Sequence, residues 1–316
     1  MNIKASRPSD ASKALCESLL ELPQPVPGDT IFRDDTFELA CLKLHGKNQA
    51  RIIQDIGRLI VPSAEGFATL GAAHLDILVE SVNEGWNNSV PLSSPRPRPD
   101  YAVGFGIDAF TADQLAKLSP LVGEVFAGDK SLFMATFYMY FPFLTCEVKS
   151  GRATLDVADR QNAHSMTLAV RAVVELFRAV NREAEIDRQI LAFSISHSDT
   201  SVKIYSHYPV MEGKETKYYR HPIQDIGIMM SGGKDRWTPY RFTKNVYDVW
   251  MPTHFRNICS AIDQLPRMDA AAHELGAGSV SELAEDDAQL ASSPEQQRST
   301  PETSSGEPGN AKRRKE

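Results

Sequence analysis

The sequence contains few cysteines, and their arrangement excludes two common architectures. The four, Cys16, Cys41, Cys146 and Cys259, are scattered over 316 residues and form no CxxC pair. The eight histidines lack the i, i+4 spacing that zinc sites use on a helix. We therefore expect reduced thiols and structural histidines in an intracellular protein, with neither a zinc cluster nor a disulfide framework.

Other common signatures are also missing. No apolar run is long enough to span a bilayer, so no membrane partner is expected. The sequence has no G-x-x-x-x-G-K-[ST] loop, no G-x-S-x-G elbow and no HRD or DFG element. These absences argue against P-loop, serine-hydrolase and kinase chemistry. The composition is that of an ordinary globular protein, 42% hydrophobic and 24% charged.

Charge is unevenly distributed, with a net charge of −7. Residues 269–316 carry ten acidic and five basic side chains, whereas residues 188–256 carry ten basic and six acidic ones. A locally basic face is compatible with phosphate binding. Aromatic residues lie between the basic ones here, as on surfaces that stack bases, and the expected contacts are Arg220, Arg241 and Lys244. Alternatively, the aromatics pack a late β-element while the basic side chains extend into solvent.

Composition divides the chain into three parts. We predict a flexible N-terminal arm over residues 1–30, a single α/β domain over 31–268, and a disordered acidic tail over 269–316. The tail ends in four consecutive basic residues, Lys312, Arg313, Arg314 and Lys315. Such a run stays solvated and accessible to a nuclear import receptor, which predicts a nuclear address. The alternative is a solubilising end that no receptor binds.

Hydrophobic periodicity predicts the elements of the central part. Helical spacing is found over 48–61, 66–86, 112–127, 159–183 and from about residue 252. Strand-like composition is found over 101–107, 133–148, 190–196 and 201–209. This order predicts an α/β fold with a mixed β-sheet flanked by helices.

Two of the predicted strands carry charged residues at one end. Pro99-Asp100 precedes the first strand, and Glu147 and Lys149 lie two apart on the second. Residues i and i+2 of a strand point to the same face, so Glu147 and Lys149 project together. Asp100 reaches the same patch if its strand pairs alongside. Two carboxylates beside an ammonium suit a hard cation and metal-assisted phosphodiester hydrolysis.

The alternative is an accidental surface cluster. About four acid-x-base triplets are expected by chance in a chain of this composition, and aspartate after proline is common in turns. The charged residues nevertheless interrupt strands that are otherwise apolar, where charges are depleted unless they are exposed or functional. We therefore favour a functional cluster.

Pro99-Asp100, then Glu147-Val148-Lys149, then a helix resembles the PD-(D/E)XK nuclease superfamily. The resemblance covers about residues 66–210 and implies a restriction-endonuclease-like core with N-terminal helical additions. The long gap between Asp100 and Glu147 departs from the family pattern and requires a helical insertion between the two strands. The body, especially residues 155–177 and 242–250, also resembles an uncharacterised domain of filamentous-fungal proteins, which supplies no settled activity.

The nuclease resemblance implies specific roles for the motif residues. Asp100 and Glu147 would coordinate Mg²⁺ or Mn²⁺ together with the main-chain carbonyl of Val148. Lys149 would position or activate the attacking water. The implied function is a metal-dependent phosphodiesterase acting on DNA or RNA. The alternatives are a nuclease-like module that binds nucleic acid or protein without cleaving it, and an interaction protein whose helix and acidic tail bind partners.

Three further residues receive roles from the same resemblance. Gln161, at the start of the helix after the motif, would orient Lys149 or the scissile phosphate. Glu84 and Glu80, in the helix predicted before the first strand, are candidate acidic ligands. Alternatively, Gln161 is an ordinary polar residue of the first helical turn and Glu84 is a solvated residue near a helix end.

Overall fold

A computed structural model of the chain describes residues 7–124, 127–150, 155–213 and 215–267. Its centre is a six-stranded sheet whose strands lie side by side in chain order. The strands are β1 (Leu78–Val82), β2 (Tyr101–Phe105), β3 (Tyr140–Val148), β4 (Ala192–His197), β5 (Ser201–Glu212) and β6 (Glu215–Gly227). Strands β3 and β4 are parallel, and the other neighbouring pairs are antiparallel. The predicted α/β fold with a mixed sheet is confirmed.

Helices precede, interrupt and follow the sheet. They are α1 (Asp10–Glu21), α2 (Phe37–Leu44), α3 (Gln49–Ile52), α4 (Arg58–Ile60), α5 (Ala64–Thr69), α6 (Ala112–Val122), α7 (Leu155–Ala179), α8 (Thr238–Asn245) and α9 (Met251–Ile262). A π-helical turn joins α3 to α4, and another joins α8 to α9. None of these helices combines the length and apolar character needed to cross a membrane.

Helices cover both faces of the sheet. The ring of Phe193 in β4 packs against Phe242 of α8, with 5.5 Å between centroids. In contrast, the side chains of Ser196 in β4 and Thr145 in β3 form hydrogen bonds with Asn162 of α7. Side chains of a strand alternate between faces, so Phe193 and Ser196 point in opposite directions. Helices α7 and α8 therefore lie on opposite sides of the sheet.

Helix α7 connects the two parallel strands. Parallel strands need a crossover connection, and a helix with one apolar stripe provides it by packing on the sheet. The stripe of α7 includes Met166, Val170, Val173 and Phe177, all of them buried. The helix predicted over 159–183 is confirmed, although it begins earlier, at Leu155, and ends earlier, at Ala179. Its first turns therefore lie next to the end of β3, where Glu147 and Lys149 are located.

Helix α1 contacts the body of the protein. Its buried side includes Cys16 and Leu19. The side-chain amide of Asn245 in α8 donates hydrogen bonds to the carbonyl oxygens of Leu19 and Leu22, each at 2.9 Å. These contacts hold the second half of the predicted N-terminal arm on the domain. The predicted acidic tail, residues 269–316, lies outside the described residues.

The helix predicted over 66–86 is wrong. Helix α5 ends at Thr69, Gly71 adopts φ +106°, and the chain continues through a short 3-10 turn into β1. The apolar residues of this segment have spacing that fits both a helix and a strand. The segment forms a strand because it pairs with β2: Leu78 to Val82 form a continuous antiparallel ladder with Phe105 to Tyr101.

The connection between β2 and β3 contains the helical insertion that the motif spacing requires. Helix α6 starts at a capping box, in which Thr111 and Gln114 exchange side-chain and backbone hydrogen bonds. It packs against α9 through a hydrogen bond from the Gln114 side chain to Asp263, at 3.0 Å. The insertion therefore leaves β2 and β3 free to pair directly.

Candidate active site

The pairing of β2 with β3 brings Asp100 and Glu147 together. Tyr101 lies opposite Cys146 in this antiparallel pair, so the next position along the ladder places Asp100 opposite Glu147. The backbone N–H of Val148 donates a hydrogen bond to Oδ2 of Asp100 at 2.8 Å. Two carboxylates that are 47 positions apart in the sequence thus meet at one end of the sheet.

Gln49 fixes the Asp100 side chain. Its amide nitrogen donates to Oδ1 and Oδ2 of Asp100 at 2.9 and 3.0 Å. Gln49 is the first residue of α3, which is capped by Asn48 through a hydrogen bond from the backbone N–H of Arg51 at 2.9 Å. Sequence reasoning missed Gln49, because nothing local connects it with a residue 51 positions later. We interpret Gln49 as a positioning residue for Asp100.

Glu147 is almost completely buried, with 2% of its surface exposed. Burial and the neighbouring charge of Asp100 raise the pKa of Glu147 to about 8, although Lys149 opposes the shift. The ammonium of Lys149 lies 3.5 Å from Oε2 of Glu147 and its side chain is 14% exposed. At neutral pH the Glu147 carboxyl is therefore mostly protonated, and a bound cation would favour its ionised form.

Asn162, rather than the predicted Gln161, faces the sheet beside this cluster. The side chain of Asn162 is fully buried and bonds Thr145, the carbonyl of Ile195 and Ser196, at 2.7, 3.0 and 3.0 Å. Gln161 is exposed, because successive residues of a helix point about 100° apart. In the described part of the chain, its side chain has no hydrogen bond with Lys149 or Glu147. The structure thus does not bring Gln161 into the site.

We expect Asn162→Ala to destabilise the protein by about 3 kcal/mol or more, because it leaves three buried polar groups without partners. Gln161→Ala, one residue away on the exposed side, should change the free energy of unfolding by less than about 0.5 kcal/mol. Urea unfolding at pH 7 measures both. Equal losses of stability in the two variants would show that the assigned orientation of α7 is incorrect.

Residues 36–262 match the family model described as a domain of unknown function, DUF7924. The chain belongs to the DUF7924 family. The matched range contains Gln49, Asp100, Glu147 and Lys149, whereas α1 and the predicted tail lie outside it. A search of curated proteins and a search of solved structures each gave no significant match.

The two further acidic residues proposed from the resemblance have other partners in the DUF7924 domain. Glu84 is not at a helix end but in the loop after β1, where it accepts a short hydrogen bond from the hydroxyl of Tyr138. Glu80 lies within β1 and is bound by Arg58 at 3.1 Å and by the hydroxyl of Ser63 at 2.7 Å. Neither carboxylate has a contact with Asp100 or Glu147 in the described ranges.

Arg220 lies on the same face of the sheet as Glu147. The ladder register runs from Glu147 through Ser196 to Lys203, and Arg220 belongs to the same face of β6. Its guanidinium lies 4.7 Å above the ring of Tyr205 and donates to the carbonyl of Asp159 at 2.9 Å.

The other two predicted phosphate contacts lie on the opposite face. Arg241 and Lys244 belong to α8, which packs against the side of the sheet that carries Phe193. The ammonium of Lys244 pairs with Asp248 at 2.8 Å. Among the three predicted contacts, only Arg220 shares the face of the Asp100–Glu147 pair.

The site therefore consists of oxygen donors with one cation beside them. No group of three or more His, Cys, Asp or Glu side chains suited to a metal ion occurs within the described ranges. The pair of Asp100 and Glu147 offers two carboxylates, and a main-chain carbonyl would supply the third donor. Hard oxygen donors of this kind suit Mg²⁺ or Mn²⁺ rather than zinc.

Proposed function

We propose that this DUF7924 protein is a metal-dependent phosphodiesterase of the PD-(D/E)XK type that acts on DNA or RNA. One observation carries the proposal: Asp100, Glu147 and Lys149 converge at the ends of two paired strands. The order of elements around them, three antiparallel strands followed by a helix and a parallel strand, supports a restriction-endonuclease-like core. The site, rather than the fold alone, supports this function, because one fold can carry many functions.

The residues present fit a divalent cation. Two carboxylates that share a site repel each other, and the charge of Asp100 adds to burial, the larger cause, in raising the pKa of Glu147. Asp100, Glu147 and the carbonyl oxygen of Val148 would hold Mg²⁺ or Mn²⁺. When bound, such an ion lowers the pKa of a coordinated water and neutralises charge on the phosphoryl oxygens.

The chain's own residues would orient the reaction. Gln49 holds Asp100 through both oxygens, and the Val148 backbone N–H fixes its rotamer. The Lys149 ammonium, 3.5 Å from Glu147, would donate a hydrogen bond to water or to the developing negative charge of the phosphate. The burial of Glu147 reduces competition from solvent and strengthens these charge interactions.

A second function is favoured by one feature of the same site. Both oxygens of Asp100 already accept hydrogen bonds, and the mostly protonated Glu147 carboxyl lies 3.5 Å from the Lys149 ammonium. A site whose two carboxyl groups are hydrogen-bonded or protonated without a metal suits a nuclease-like module that binds nucleic acid or protein without cleavage. The two functions differ in whether the chain hydrolyses a phosphodiester when a divalent cation is supplied.

A metal titration with a nuclease assay separates the two. Full-length protein is incubated with labelled single-stranded DNA, duplex DNA and RNA while Mg²⁺ or Mn²⁺ is raised, and EDTA serves as the control. We expect cleavage of at least one substrate that rises with metal and stops in EDTA. Absence of cleavage of all three substrates with both metals would refute the phosphodiesterase and leave the binding module.

We also propose a nuclear address for the chain. The basic run at 312–315 lies outside the described residues, and its sequence alone supports the proposal. A full-length chain fused to a cargo too large for passive entry should accumulate in nuclei. The variant with alanine at the four basic positions should remain cytoplasmic. Cytoplasmic retention of the intact fusion would refute the nuclear address.

A further inference from the structure

The segment that leads into Asp100 presents two arginines on a stiff backbone. We call residues 95–99, with the sequence PRPRP, the arginine arm. Pro97 and Pro99 are buried, whereas Arg96 and Arg98 are exposed. The carbonyl of Pro97 accepts a hydrogen bond from the backbone N–H of Trp86 at 2.9 Å, which ties the arm to the loop after β1.

The alternation of buried prolines and exposed arginines directs positive charge toward the solvent. Side chains alternate between the protein and the solvent along residues 96–99, so burial of Pro97 and Pro99 leaves both arginines facing outward. Proline restricts φ, so the arm loses little backbone entropy when it binds a ligand. Because an extended chain spans at most about 3.5 Å per residue, the α-carbons of Arg98 and Arg96 lie within ~7 and ~14 Å of that of Asp100, and within ~7 Å of each other, a separation comparable with that of successive phosphates of a strand.

The two guanidinium groups have few internal partners. Nε of Arg98 donates to the carbonyl of Asn83 at 3.0 Å, which leaves its terminal nitrogens available. Arg96 has no ion pair or hydrogen bond in the described part of the chain. Arginine binds phosphate through a planar pair of donors and stays charged at all relevant pH values. The arm therefore offers two phosphate contacts next to the proposed catalytic site.

A chain of contacts connects an exposed aromatic ring with the arm. Phe137 is 59% exposed, and its ring packs edge-on against Tyr138 with 4.9 Å between centroids. The hydroxyl of Tyr138 is bonded to Glu84, the residue after Asn83, which holds Arg98. Two consecutive loop residues thus link the ring to the arm. Two acidic residues lie along this surface, Asp100, which Gln49 holds, and Glu84, which accepts the hydrogen bond from Tyr138.

We propose that Arg96, Arg98 and Phe137 bind a single-stranded segment of nucleic acid next to the scissile phosphate. This inference rests on the proposed phosphodiesterase function and names its substrate class. The arginines contact consecutive phosphates, and the Phe137 ring stacks on a base. Stacking on a side chain requires a base that is not already stacked within a duplex, so the ring selects single strands.

Binding of the full-length protein to nucleic acid tests the inference without cleavage. Fluorescence anisotropy in EDTA measures affinity for labelled oligothymidylate and for a duplex of the same length over a salt series. We expect tighter binding of the single strand. Phe137→Ala should weaken that binding at least about fivefold and leave duplex binding unchanged. Arg96→Gln with Arg98→Gln should reduce the slope of log affinity against log salt by about 1.4.

Matched variants control for nonspecific effects of charge and exposure. Arg256→Gln with Lys234→Gln removes two exposed cations elsewhere, and Leu70→Ala truncates an exposed apolar residue. Both should bind like the wild type. A duplex bound as tightly as the single strand would overturn the inference. An arm variant that loses no more affinity than its control would do the same.

The outcomes also distinguish this inference from the proposed function. If the arm and Phe137 control single-strand binding but no metal supports cleavage, the binding surface stands and the phosphodiesterase fails. If metal-dependent cleavage occurs but neither variant changes single-strand affinity, the phosphodiesterase stands and the arginine arm fails.

Discussion

Asp100→Asn and Glu147→Gln should each reduce metal-dependent cleavage by about a thousandfold or more, because each change removes one oxygen ligand and its charge. Metal affinity should fall with activity, since one remaining carboxylate holds a divalent cation poorly. The measurement is the initial rate of cleavage of the best substrate at saturating Mn²⁺. A rate within tenfold of the wild type for both variants would remove these residues from the mechanism.

Both substitutions should leave the fold intact. Glu147 is mostly protonated at neutral pH in the metal-free protein, so glutamine resembles the form that is already present. Asparagine at position 100 keeps an oxygen for the N–H of Val148, and Gln49 can turn its amide to accept from the new nitrogen. Asp108→Asn, at an exposed position outside the site, is the matched control and should retain full activity.

The free energy of unfolding should fall steeply as pH drops below 6.5. His197, His207 and His254 are buried, and burial lowers their pKa values to about 4, 3 and 3. In the unfolded chain they take up protons near pH 6.5, so the unfolded state binds more protons and gains stability as the pH falls. Each histidine contributes up to about 1.4 kcal/mol per pH unit, between pH 6.5 and the lowered pKa.

Glu147 changes the free energy of unfolding in the opposite direction over part of this pH range. Its pKa is raised in the folded protein, so between its ordinary value and about 8 the folded state binds the extra proton. Between pH 5 and 6 the three histidines exceed this one carboxyl, and these four groups together give a net slope of about 2 to 3 kcal/mol per pH unit. Urea unfolding at pH 7, 6 and 5 measures the slope.

A single substitution assigns part of this slope. The Nε2 atom of His254 has no hydrogen-bond partner in the described structure, and the ring stacks on Trp250 at 4.3 Å. His254→Leu keeps an apolar side chain of similar size and should lower the slope by up to about 1.4 kcal/mol per pH unit. A stability that is constant from pH 7 to 5 in the wild type would contradict the buried, neutral state of these histidines.

Hydrophobic periodicity in the sequence was sufficient to predict the strands and the helix that carry the site residues. The strands β2 to β5 and the helix α7 have strong apolar periodicity, and the i, i+2 spacing of Glu147 and Lys149 places them on one face of any strand. The convergence with Asp100 followed from the pairing of the two strands. That part of the site is set by neighbours in sequence and by one sheet register.

The elements and site residues that the sequence did not predict depend on contacts between residues far apart in the chain. Strand β1 has apolar spacing that also fits a helix, and only its pairing with β2 selects the strand. Strand β6 has only one buried residue, and a proline, Pro222, lies at its bulge, so its apolar alternation is weak. Gln49 and Asn162 reach their partners across long stretches of chain, and a single sequence contains no signal for such pairs.

Direct binding of Mn²⁺ to full-length protein tests the central claim most simply. Isothermal titration at pH 8 should show a site in the wild type that is lost in both Asp100→Asn and Glu147→Gln and kept in Asp108→Asn. Because the metal favours ionised Glu147, its binding should release a proton, and the apparent affinity should rise from pH 6 to 8. Wild-type Mn²⁺ binding that neither site variant weakens would contradict a metal centre at Asp100 and Glu147.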